Sequence, residues 1–176
     1  MNKYQFILAG ALLFGSATLT TAQTDTKAVV EQATQIIKAK GADYEKQVKD
    51  LYKEYKKNPS ALIAIGRAFY NNKEYEKATQ FADYALAKDS KNADAFLLKG
   101  DVCVSNDDAG GASQNYQQAI YFAPKNPEGY YKYAMILRGR NPEDAVATLE
   151  DLRKQVPDYP VDALAARIYY HTKNPN

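Results

Sequence analysis

KNPSALIAIGRAFYNN at residues 57–72, KNADAFLLKGDVCVSN at 91–106 and KNPEGYYKYAMILRGR at 125–140 are three versions of one pattern. Lys57-Asn58, Lys91-Asn92 and Lys125-Asn126 recur at a spacing of 34, as do Gly66, Gly100 and Ala134. Ala78 and Ala112, and Ala85 and Ala119, keep the same interval. A fixed period of roughly 20–50 residues marks a stacked-repeat architecture, in which each unit buries its apolar face against the next.

Within a unit the apolar residues have helical spacing. Counting from Pro59, Leu62, Ile65, Gly66 and Phe69 share one helix face. After Asn71-Asn72 a second helix carries Tyr75, Ala78, Ala82 and Ala85. The second unit answers with Phe96, Gly100 and Cys103, then Ala112, Tyr116, Ala119 and Pro124. The third has Tyr130, Tyr133, Ala134 and Leu137, loses one residue near Arg140, and continues with Ala145, Leu149, Leu152 and Pro157. Boundaries are marked by Asn58-Pro59, Asn126-Pro127 and Asn141-Pro142, a capping side chain before a proline at the first helical position. Asn92 stands in the same place without the proline.

This pattern of bulky, small and alanine positions resembles the tetratricopeptide repeat (TPR). The resemblance covers residues 59–157, as units 59–92, 93–126 and 127–159. It implies an all-α, right-handed superhelix of antiparallel helix pairs. Departures are Lys99 at an apolar position, Ser90 where a proline is usual, and Leu152 at a small position. Lys99 and Leu152 are expected to loosen their surroundings.

The flanks differ. Residues 1–22 combine a basic Lys3, an apolar run from Phe6 to Phe14 and small residues ending at Ala22, the layout of a secretory signal peptide. The apolar run is too short for a membrane-spanning helix, which needs about 20 residues. The mature chain is expected to begin at Gln23, exported to a periplasm or the exterior, with no membrane-integral segment left. Residues 23–58 read as a helical hairpin capping the stack, with Gly41 ending its first helix; Val29, Val30, Ala33, Ile36 and Ile37 make one apolar face and Tyr44, Val48, Leu51, Tyr52 and Tyr55 the second. Residues 160–176 read as a partial fourth unit or C-terminal helix. Its Val161, Leu164, Ile168, Tyr169 and Tyr170 leave little polar surface for a closing element. A longer array, pairing with a second copy as a homodimer, or a tolerated exposed end would each account for that.

Chemistry is scarce. The chain of 176 residues has one histidine, His171, and one cysteine, Cys103, which precludes an intrachain disulfide. They are expected two layers apart in the stack, so a Cys–His catalytic pair is not expected. Cys103 reads as a small core residue and His171 as a helix-end residue. Asn106-Asp107-Asp108 lacks the alternating oxygen ligands of a calcium loop and reads as a turn. Of the 15 tyrosines, Tyr75, Tyr116, Tyr130 and Tyr133 fall on positions that pack helix on helix. A formal net charge of +2, with both signs interspersed, does not make a nucleic-acid footprint. Neither a cofactor nor a metal site is expected, and no enzyme.

What remains is the groove that, by the resemblance, the first helix of each unit lines. Its rows read Ile63, Leu97, Tyr131; Arg67, Asp101, Met135; and Tyr70, Val104, Arg138. The first row is apolar without being a packing row of the repeat. It is expected to form an exposed strip that anchors a protein partner's peptide or helix, oriented by Arg67, Asp101 and Arg138. A glycan held by Tyr70 and Tyr131 is the alternative, and the row is equally explained if the N-terminal hairpin or a neighbouring copy covers it. The carboxylate clamp of chaperone-binding TPR domains is not present: its positions hold Ile63, Arg67, Leu98, Glu128 and Lys132, of which the last alone is suitably basic.

Overall fold

The computed structural model describes residues 26–173, with side chains to residue 170. The signal segment at 1–22, the start at Gln23, the side chain of His171 and the last three residues lie outside this range. The described residues form nine helices: α1 (Thr26–Ala39), α2 (Tyr44–Tyr55), α3 (Pro59–Asn71), α4 (Tyr75–Leu86), α5 (Ala93–Ser105), α6 (Ala109–Phe122), α7 (Pro127–Leu137), α8 (Pro142–Gln155) and α9 (Val161–Lys173).

Capping fixes where each unit begins. Asn58, Asn92, Asn126 and Asn141 each accept a hydrogen bond through the side chain from a backbone N–H of the first helical turn. Three of these helices carry proline at the start, where the missing N–H has no intrahelical partner to lose. Each pair turns within a few residues. Lys73 and Asp107, one period apart, both adopt a left-handed conformation there, with φ of 62° and 58°. At the end of α1 the left-handed residue is Lys40, φ 37°, and not Gly41. The C-cap expected of Gly41 therefore sits one residue earlier.

The helices pack as antiparallel pairs, α3 with α4, α5 with α6 and α7 with α8, and each pair leans on the next through α4–α5, α6–α7 and α8–α9. The N-terminal hairpin is arranged differently. α1 lies mainly on α3 and only lightly on α2, while α2 reaches α4 through Tyr52 and Tyr84, whose rings are 4.1 Å apart. The hairpin thus covers the first unit, and Val29, Ala33, Ile37, Val48 and Leu51 are buried in the same core as Leu62, Ile65, Phe69 and Phe81.

The two expected weak spots are filled. Lys99 is half-buried and its Nζ reaches Asp83 on α4 at 2.7 Å, so the aliphatic stem packs while the charge leaves the core. Leu152 is fully buried with Tyr130, Leu149, Val161 and Ile168. Its bulk meets α9, where a small residue would leave a void. Cys103, expected in the core, is half-buried beside Asn115 and Asp108, and burial pushes its thiol pKa up. Asn106-Asp107-Asp108 is the turn between α5 and α6, with Asp108 capping α6 through Gly111 N–H.

Candidate functional site

α3, α5 and α7 are the first helices of the three units, and the side chains they present together form the candidate site. Its centre is Asp101, the buried charged residue among the described ones, 5% exposed. Burying a carboxylate is costly unless charge and hydrogen bonds offset it. Here three donors do so. Arg67 of α3 pairs with Oδ2. Lys132 Nζ of α7 is 2.7 Å from Oδ1, and Tyr116 OH of α6 donates to Oδ1 at 2.8 Å. Burial first, then the adjacent Asp101 carboxylate, push the Tyr116 hydroxyl pKa far above its ordinary value, so it remains a donor. Glu128 completes the group from the solvent side, 3.5 Å from Lys132 and 4.0 Å from Arg67. Two cations and two anions are thereby joined across three units.

This arrangement corrects the expected row of anchors. Leu97 is 1% exposed and lies with Ala112, Tyr116 and Ala119 in the core of its own hairpin. Ile63 is 8% exposed and belongs to the core shared with α1, which lies over α3. Neither has surface to offer a ligand. The row is apolar because it packs. Tyr131, in the third unit, is half-buried. Asp101 likewise cannot orient a ligand directly, since its two oxygens are occupied from inside.

The accessible part of the predicted set lies elsewhere on the same helices. Val104 is 43% exposed, and Tyr70, Met135 and Arg138 are half-buried. Tyr70 is held in place: its hydroxyl accepts from Ser105 Oγ at 3.1 Å and its ring is 5.7 Å from that of Tyr75. At the other end of these helices a groove of about 460 Å³ opens between α1 and α3, lined by Thr26, Val30, Ser60, Arg67, Asp94 and Glu128 among others. Tyr116, Glu128 and Lys132 were missed as participants in the sequence reading. Arg67 and Asp101 carried the signal, because opposite charges one period apart at equivalent positions must face each other in a stack.

Structural comparison fits this geometry. The chain has the TPR fold. The Arabidopsis OM64 TPR domain superposes with a TM-score of 0.56 at 18% identity, over 66% of this chain and 98% of that one. YrrB gives 0.54 at 17%, over 86% and 80%. A TPR protein from Parabacteroides merdae gives 0.59 at 15%, over 87% of this chain and 61% of its own. No protein-family model matches the sequence, and no curated protein matches it.

Proposed function

We propose that the chain is an exported, non-catalytic TPR scaffold that binds a protein partner by holding one of its segments against α3, α5 and α7. The observation that carries this reading is the surface these helices share. Its centre is a rigid, charge-balanced group, and beside it Val104, Tyr70, Tyr131 and Met135 leave apolar and aromatic area open to water. Groups held by neighbouring units lose little freedom on binding, which favours capture of a flexible segment. YrrB, a structural neighbour, is a TPR protein with an unusual peptide-binding site, and the likeness in fold supports looking for a peptide on this surface.

The test is selection of peptides from a displayed library on the immobilised protein. Enriched sequences should bind wild type, lose binding to Val104→Glu and Tyr131→Ala, and keep it to Tyr121→Ala. Tyr121 is 76% exposed on α6, away from the shared face. Equal binding to all three variants would place the ligand elsewhere and overturn the reading. The signal layout of residues 1–22 supports export. N-terminal sequencing of the mature protein should start at Gln23, and a chain that keeps Met1 inside the cell would refute it.

A further inference from the structure

The cations on the shared face are not equivalent. Arg67 and Lys132 are each matched by Asp101 and Glu128. Arg138, the C-cap residue of α7, has no ion pair or hydrogen-bonded side-chain partner among the described residues. Its neighbourhood follows from the stacking register. From α3 to α5, residues about one period apart meet: Arg67 with Asp101, and Tyr70 with Ser105. From α5 to α7, Asp101 meets Lys132, 31 residues on, and the same register carries Val104, the exposed large apolar residue of these three helices, towards Met135. Met135, one helical turn before Arg138, continues the apolar area.

Resting on the groove reading above, we propose that the partner segment places a bulky aliphatic side chain on Val104 and Met135 and a carboxylate against Arg138. The occupant is an acidic-aliphatic stretch of another protein. Charge complementarity selects it. A basic segment would set like charge against Arg138, while the balanced centre around Asp101 neither attracts nor repels net charge. Arginine suits the task because its planar fork takes a carboxylate through two parallel hydrogen bonds.

The experiment uses the mature chain and three fluorescent peptides, acetylated and amidated at their ends. Each carries a single leucine flanked by glutamate, by glutamine or by lysine. Fluorescence anisotropy at low salt should rank them Glu, Gln, Lys, with the glutamate peptide about fivefold tighter than the glutamine peptide, and the gap should narrow as salt is raised. Arg138→Glu should invert the order, and Val104→Ser should weaken all three. Thermal melting checks that both variants fold. A ranking unchanged by Arg138→Glu overturns the assignment of Arg138 while the groove reading stands. Absence of binding by all three peptides overturns both.

Discussion

Gly66 and Gly100 occupy the same position in successive units, yet different groups fill the space beside them. A Cβ on Gly66 would come 2.6 Å from Leu98 Cδ2, which belongs to the next unit, and 3.3 Å from both Ala78 O and Phe81 Cβ. On Gly100 it would strike the Tyr116 ring of the same unit at 2.3, 2.6 and 2.9 Å. The first glycine admits a neighbour's flexible methyl, and the second admits a ring tied to Asp101. One letter of the repeat thus serves contact between units in one place and contact within a unit in the other. Gly100→Ala should therefore be the more damaging change. It is expected to cost about 2 kcal/mol, overpacking of up to about 3 kcal/mol being offset in part by the roughly 1 kcal/mol an alanine gains in a helix. Gly66→Ala should cost about 1 kcal/mol or less, because Leu98 can change rotamer. Denaturant midpoints on the two variants measure the difference, and equal losses would break the comparison.

Asp101 sharpens it next. Asp101→Asn keeps the shape but strips the charge that Arg67 and Lys132 face, and should destabilise by about 2 kcal/mol, less than a fully buried pair because both cations are partly hydrated. The loss should shrink in an Arg67→Gln, Lys132→Gln background. Tyr116→Phe removes one donor and should cost about 1 kcal/mol. In the same variant the ring is no longer tethered, so Gly100→Ala should become milder there, a coupling that a double-mutant cycle reads directly.

The tether also has a pH signature. The hydroxyl pKa of Tyr116 is raised in the folded chain, so the unfolded chain gives up its proton first. The stabilisation is fully present below the ordinary tyrosine value of about 10 and is lost as pH rises above it. Tyr44, Tyr55 and Tyr130 shift in the same direction, each chiefly through burial. Wild-type melting temperature should accordingly fall above about pH 10, and Tyr116→Phe should fall less steeply.

The fold was legible because repetition is a strong signal. Capping asparagines, prolines and glycines at fixed intervals each act locally, and all of them point to the same helix boundaries. The site was legible in part. Arg67, Tyr70, Val104, Tyr131 and Met135 lie on the helices assigned to them and Arg138 caps α7, but Leu97 and Ile63 are inside. A repeat position does not state its exposure when what covers it comes from elsewhere. Ile63 is covered by α1, a hairpin outside the period, and Leu97 faces α6, whose Tyr116 replaces the alanine found at that position in the first unit. The pairing of Lys132 and Tyr116 with Asp101 crosses between non-equivalent positions, so periodicity alone could not reveal it.

The smallest expected effect lies in Gly110-Gly111, a doublet that invites treatment as one weak helix start. The two residues have unlike surroundings. A Cβ on Gly110 would meet only Asp108 Oδ1, at 3.6 Å, an ordinary contact. On Gly111 it would lie 2.2 Å from Asp108 Oδ2 and 2.9 Å from Cys103 Sγ. Asp108 is the capping residue whose Oδ1 accepts from Gly111 N–H at 2.8 Å, so a methyl there would push the cap off its own hydrogen bond. Gly110→Ala should stabilise the chain by about 0.5–1 kcal/mol through helix propensity and a less flexible unfolded state. Gly111→Ala should give no gain, the propensity term being offset by a disturbed cap of similar size. Hydrogen exchange at the first turn of α6 separates the outcomes, slowing in Gly110→Ala and quickening in Gly111→Ala. Equal slowing in both would mean that Asp108 moves aside freely, and that the first turn of α6 tolerates side chains as readily as the space beside Gly66.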